Sequence, residues 1–271
     1  MLTRFVGHAC LETEVRGMRI VSDPWWAGSA YTDQWHPWPT PATDGLESRP
    51  IDVLYLSHGH EDHLHAPTLA RLGRGATVLV PAFVTGGMDG YVRSLGFERV
   101  VPLRHGQRVK LGQGVTATCY VNATDSLLVV EDGGEVLVNA NDALHAAPAA
   151  IADHFCDLLL RNHPRITSLF LGYGGASWFP NCLRLPGKDD RAAALRREQL
   201  LAESFARIVA RLAPRLACAF AASFVLLEPA TRWVNEVKLE APGPDEAFRR
   251  RSGGSSATAC RLLAPGDVVD G

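Results

Sequence analysis

The sequence predicts a layered α/β sandwich. Three observations carry this. Short β-branched runs follow one another through tight turns, helical segments are set between and after those runs, and a histidine-rich loop closes one apolar strand. Strands joined by hairpins, rather than always separated by helices, argue against a doubly wound parallel sheet.

An opening antiparallel sheet is read from residues 2–6, 10–15 and 18–22, the last two joined by Arg16-Gly17 as a hairpin turn. After Asp23-Pro24, a stretch holds Trp25, Trp26, Trp35 and Trp38 with prolines at 37, 39 and 41. That composition suits neither helix nor central strand and predicts a long aromatic surface loop. Residues 53–57 read as a buried strand, and 67–72 as a short helix with Pro67 in its first turn.

Further strands are predicted at 76–80, 99–101, 108–111, 115–121, 126–131 and 135–139, with a helix at 89–95 and a hairpin at Gly133-Gly134. The remainder reads as a helix over 148–161, a strand over 166–172 and a long helix over 190–213. That last helix carries Leu201, Phe205, Ile208 and Leu212 on one face, and a buried strand follows over 216–220. The SGGSSA piece over 252–257 reads as a flexible surface loop, and Arg249, Arg250 and Arg251 before it read as a solvated run rather than a nucleic-acid contact.

With 271 residues, 46% of them hydrophobic, the chain is long enough for a large core, expected as a single domain over 1–271. The net charge of -2, from 27 basic and 29 acidic residues without a long block of either sign, leaves no footprint for nucleic acid or an anionic membrane. Six cysteines lie far apart with no CxxC pair, as in a reduced compartment. The first fifteen residues lack an apolar signal segment, and no run approaches the roughly 20 apolar residues of a membrane span. A cytoplasmic protein acting on a small molecule is expected, without nucleic-acid or membrane partners.

The chemistry gathers in LYLSHGHEDHLH, residues 54–65. On an extended loop His58 and His60 point the same way, while Asp62 and His63 at the helix entry face a second point nearby. Imidazole with carboxylate suits zinc, iron or manganese rather than calcium or magnesium. His65 lies beyond the pattern and is expected to be exposed; His36, His105, His154 and His163 are expected to play no part.

The H-x-H-x-D-H loop after an apolar strand, Asp23-Pro24, and Asp142 in LVNANDALH together resemble the metallo-β-lactamase superfamily. The resemblance implies its αββα four-layer sandwich, a structural role for Asp23, and Asp142 as a carboxylate between two metals. Within the superfamily, SHGHEDHLHAPTL, DSLLVVEDGGEVLVNANDA, GYGGASWFPNC and LAPRLACAFAASFVLLEP are most similar to the CMP-N-acetylneuraminate hydroxylase family.

Two departures bear on the chemistry. The two-zinc hydrolases of the superfamily bring a third histidine to the first metal from the loop that here reads VNATDS, and a further histidine late in the chain, where Ala221, Ala222 and Ser223 stand. What remains is His58, His60 and Asp142 for one metal, with Asp62, His63 and Asp142 for a second. Two histidines and one carboxylate with open positions fit non-haem iron that activates dioxygen. One or two irons are the expected cofactor, with zinc or manganese as the alternative.

An oxygenase is therefore favoured over a hydrolase that cleaves a phosphodiester, lactone or amide with metal-activated water; a non-catalytic scaffold ranks last. Asp62, Asp142, His8 and His145 are the catalytic candidates, and His8, His145, Asn122 and Asp125 the candidates to replace the missing ligands. Trp25, Trp26, Tyr173 and Ser177 are expected on the substrate side. The hydroxylase family also carries a Rieske region, but no C-x-H or C-x-x-H occurs here. Electrons are expected from a separate electron-transfer protein, from the substrate or from a second iron.

Overall fold

The structure, a computed structural model, describes residues 1–175 and 178–271, and only the backbone of Trp178. In chain order the first half consists of β1 (Leu2–Gly7), β2 (Cys10–Val15), β3 (Met18–Ser22), β4 (Trp35–Pro37), β5 (Val53–Tyr55), α1 (Ala66–Leu69), β6 (Thr77–Pro81), α2 (Met88–Ser94), β7 (Val100–Leu103), β8 (Gln107–Gly112), β9 (Val115–Asn122), β10 (Asp125–Glu131) and β11 (Val136–Asn141). The second half adds α3 (Ala149–Asn162), β12 (Ser168–Gly172), α4 (Trp178–Asn181), α5 (Asp190–Leu212), β13 (Leu216–Phe220), β14 (Phe224–Leu226), α6 (Trp233–Glu240), α7 (Pro244–Arg251), β15 (Ala259–Leu262) and β16 (Val268–Asp270).

Two seven-stranded sheets face each other, in the orders β16-β1-β2-β3-β5-β6-β7 and β15-β13-β12-β11-β10-β9-β8. Each is mixed: β3, β5, β6 and β7 run parallel, as do β11, β12, β13 and β15, and the remaining neighbours are antiparallel. Strand alternation explains why so many runs are apolar throughout. In β10, Leu128 and Val130 enter the core between the sheets, while Leu127 and Val129 pack under α3 and α5. In β5, Val53 and Tyr55 face inward, while Leu54 joins Leu69 and Val92 of α1 and α2 on the outer side. Helices thus cover both outer faces, giving the αββα order.

Several elements differ from the sequence expectation. The tryptophan stretch is not simply a surface loop: it contains β4, which pairs antiparallel with β14, Trp35 opposite Leu226. Trp25 and Phe224 anchor a small core there, with Trp35 stacked on Phe224 at 3.8 Å. Arg249 to Arg251 are solvent-exposed as expected and form the last turn of α7, where cations oppose the backbone dipole. β15 and β16 were hidden in a polar tail, and β16 returns to pair with β1, Leu2 opposite Asp270.

Candidate metal centre

The parallel strands β3 and β5 end side by side, Ser22 opposite Tyr55. Asp23 follows β3 and the loop 57–65 follows β5, so the histidine cluster and Asp23 arrive at the same end of the sandwich. Asp142 comes from the end of β11, where a bulge between Asn139 and Asn141 and a left-handed Asn141 (φ 46°) redirect the chain. The β9–β10 hairpin supplies Asp125, and the β1–β2 turn supplies His8, itself left-handed at φ 49°.

Asp23 is fully buried and organises the cluster. Its carboxylate accepts from the Ser57 N–H at 2.8 Å, the Ser57 hydroxyl at 2.7 Å, the Asn141 amide and His63 Nδ1 at 3.1 Å. Because the Ser57 proton is committed to Asp23, its oxygen can only accept from Asn141 at 3.0 Å and from His58 Nδ1 at 2.9 Å. Both imidazoles are thereby oriented with Nδ1 as donor and Nε2 turned toward the cluster. His63 Nε2 lies 3.4 Å from Asp62 Oδ2 and 3.4 Å from Asp142 Oδ2; His58 Nε2 lies 2.8 Å from His60 Nδ1 and 3.6 Å from Asp125 Oδ1.

Three sets of donor atoms result, each with its members within 4.8 Å of one another: His58, His60 and Asp125; His58, His63 and Asp142; His8, Asp62 and His63. His63 Nε2, Asp125 Oδ1 and Asp142 Oδ1 are buried without a hydrogen-bond partner among the described residues. Orphaned acceptors converging on common points are costly in a metal-free chain, and a cation satisfies them. The donor set fits zinc, iron or manganese.

The two rings differ electrostatically. Burial, then the neighbouring His63, pushes the His58 imidazole well below its ordinary range, the neutral form a metal needs. Burial opposes charge on His63, but Asp62 and Asp142 outweigh it and hold that ring well above its ordinary value. Burial likewise opposes charge on Asp62 and Asp142, and His63 reverses it, so both carboxyls lie below their usual range. Burial and then Asp142 raise Asp125.

His8 Nε2 bonds Asp62 Oδ2 at 2.8 Å, and the His8 carbonyl accepts from Ala221 N–H at 2.7 Å. The residues after β13 thus bring His8, and no histidine of their own, to the second half of the cluster. Tyr31, absent from the sequence expectation, donates its hydroxyl to Asp62 Oδ1 at 2.5 Å. Nothing in YTDQW marks it, because the contact depends on how the tryptophan stretch folds back.

The other candidates lie farther out. His145 is buried, with Nε2 at 2.8 Å from the Gly174 carbonyl and Nδ1 without a hydrogen-bond partner among the described residues. Gly172 makes room for it: a Cβ there would lie 2.7 Å from the His145 ring. Trp25 is wholly buried against His8, Trp26 bonds Glu47, and Tyr173 packs on the α3–α5 core. Ser177 lies outside the described residues. His65, expected to be exposed, is buried: its ring caps α1 through Thr68 and bonds the Ser29 carbonyl at 3.0 Å.

This fold and this cluster define a metallo-β-lactamase-fold protein with a candidate metal centre at the loop end of β5. Residues 3–133 match the family model of the β-lactamase superfamily domain. Over 98% of its length the chain is 28% identical to a Mycobacterium tuberculosis protein that carries a Rieske 2Fe-2S iron-sulfur name, of which it covers 52%. It is 27% identical to the cytidine monophosphate-N-acetylneuraminic acid hydroxylase of Danio rerio over 98% of this chain and 45% of that one. The chain spans about half the length of the curated relatives it matches.

Among solved structures, CmlA, a diiron β-hydroxylase from Streptomyces venezuelae, aligns with 99% of this chain and 53% of its own at a TM-score of 0.65 and 19% identity. An isothiocyanate hydrolase from Delia radicum gut bacteria aligns over 100% and 98% at a TM-score of 0.62 and 14% identity. One fold therefore serves a hydroxylase and a hydrolase, and the choice lies with the site. Among the described residues no helix is long and apolar enough to cross a membrane.

Proposed function

We propose that this chain is a non-haem iron oxygenase that hydroxylates a small molecule, with two irons held between the β5–α1 loop, the β9–β10 hairpin and the end of β11. The observation that carries the reading is Asp125. Where the hydrolases of the superfamily bring a third imidazole to the first metal, this chain brings a carboxylate within 3.6 Å of His58 Nε2. His58, His60 and Asp125 then form a two-histidine, one-carboxylate set. Asp62 and His63 would hold a second ion with His8 beside them, and Asp142 lies within reach of His58 and His63.

Iron in such a set would supply dioxygen activation, given electrons from outside. The protein's part is geometric. The Asp23 network turns Nε2 of His58 and His63 toward the cluster, and Tyr31 holds Asp62 by one oxygen while leaving the other toward His63. The Rieske name of one relative supports a separate electron-transfer protein as reductant. The chain works as one domain, since the core between the sheets draws on Phe5 near its start and Val269 near its end. All six cysteines are free thiols, which supports a reduced, cytoplasmic setting.

The raised Asp125 carboxyl favours a second reading, in which it serves as proton acceptor for metal-activated water in a hydrolysis. Oxygen dependence separates the two. Reduced, iron-loaded protein is expected to consume dioxygen, and His58→Ala to lose both iron and consumption; iron and consumption retained in that variant would overturn the oxygenase.

A further inference from the structure

A cleft of about 610 Å³ opens beside the His58 and His60 side of the centre, within the size range of small-molecule sites. Its far wall is the β6–α2 connection, where Gly86 (φ 67°) and Gly87 (φ 87°) form a left-handed turn open to glycine. That turn sets Phe83, Met88 and Tyr91 across from the histidines. Tyr91 is about half exposed, so its ring is accessible to a ligand.

The charges of this cleft are one-sided. Among the described residues lining it there is no arginine or lysine, and Glu61 is the one carboxylate. Glu61 Oε2 accepts the Tyr31 N–H at 2.5 Å, which fixes the side chain while the residue stays exposed. Outside the lining, Asp89 in the first turn of α2 offsets the positive end of that short helix. A cytidine monophosphate-sugar acid, with its phosphodiester and carboxylate, meets no cation here apart from the metal side.

We propose that the cleft takes a small molecule with an aromatic body and a protonated amine, the amine against Glu61 and the body among Phe83, Met88 and Tyr91. An ammonium meets a fixed carboxylate, and an aromatic ring meets a tyrosine face and a thioether, contacts that favour it beyond simple burial. The proposal rests on the reading of the metal centre as the reacting site, since the cleft gains its meaning from the histidines that form its near wall.

The test uses three probes that share a phenylethyl body and differ in charge: phenethylamine, 2-phenylethanol and 3-phenylpropionate, with cytidine monophosphate as a fourth. Each is titrated calorimetrically into metal-loaded protein and metal-stripped protein, with metal content measured in the same samples. Phenethylamine is expected to bind at about 1 mM or tighter, about tenfold or more tighter than the propionate and the nucleotide. Glu61→Gln should erase the advantage of the amine over the alcohol, and Tyr91→Ala should weaken both. The proposal is overturned if phenethylamine fails to bind, if the propionate or the nucleotide binds as well in stripped protein, or if Glu61→Gln leaves the preference intact. Because stripped protein is read separately, absence of iron defeats the oxygenase reading without deciding the cleft.

Discussion

Asp23 Oδ2 lies 3.1 Å from His63 Nδ1, and through that contact a residue after β3 decides which nitrogen of a β5–α1 histidine faces Asp62 and Asp142. The same carboxylate orders Ser57, and Ser57 orders His58. Supporting contacts of this kind typically govern metal affinity by about 10- to 100-fold. Asp23→Asn keeps the size of the side chain but removes its charge and one acceptor. It is expected to weaken metal binding by about that factor, read by competition against a chelating dye; unchanged affinity would show that the network does not orient the ligands.

In the proposed centre Asp125 gives the first candidate set a carboxylate in place of a third imidazole. Asp125→His is expected to shift the metal bound from mixed iron and zinc medium toward zinc, because three imidazoles and an open position form a catalytic zinc set. Elemental analysis of variant and parent grown side by side checks this, and an unchanged ratio would remove Asp125 from the ligand set.

Two glycines give opposite signs. A Cβ on Gly172 would lie 2.7 Å from the His145 ring and 2.9 Å from the Asn141 carbonyl, whereas one on Gly90 in α2 meets nothing within 4 Å. Gly172→Ala should cost about 1–3 kcal/mol by overpacking. Gly90→Ala should stabilise by roughly 0.5–1 kcal/mol through the chain entropy of the unfolded state. Urea unfolding midpoints with unchanged slopes measure both.

On β2, Glu12 is buried between Arg19 Nε at 2.5 Å and Arg4 Nε at 2.7 Å. Burial raises its carboxyl, but the two guanidinium groups outweigh that and hold it below the ordinary value. The folded state therefore binds this proton less readily than the unfolded chain. Its stabilisation is complete above the unfolded value of about 4.3 and is lost as pH falls through the lower folded value. Glu12→Gln is expected to cost about 3 kcal/mol at neutral pH, with the gap to the parent closing in acid. A gap that widens in acid would contradict the assigned sign.

Local pattern made much of the fold legible. β10 and β13 are buried on both faces, so they read as continuous apolar runs; α5 has one buried face, so it reads as an amphipathic helix. His58, His60, Asp62 and His63 were legible because all four lie on one loop and their spacing alone brings them together. Asp125 and His8 were visible only as candidates, since each reaches the centre on a different strand connection. Tyr31 and β4 were not legible: their place depends on β14, far along the chain, which pairs with β4 and seats Trp35 on Phe224. His65 misled because no polar pattern announces that an imidazole will cap α1 and bond Ser29.

The His58, His60, Asp125 and Asp62, His63, Asp142 constellation is proposed to hold iron. Its most direct test is the metal content of protein expressed in iron-supplemented medium and purified anaerobically without added metal, beside His58→Ala. The prediction is about one to two irons per chain, largely lost in the variant. Zinc or manganese in place of iron, or iron undiminished by His58→Ala, would contradict it.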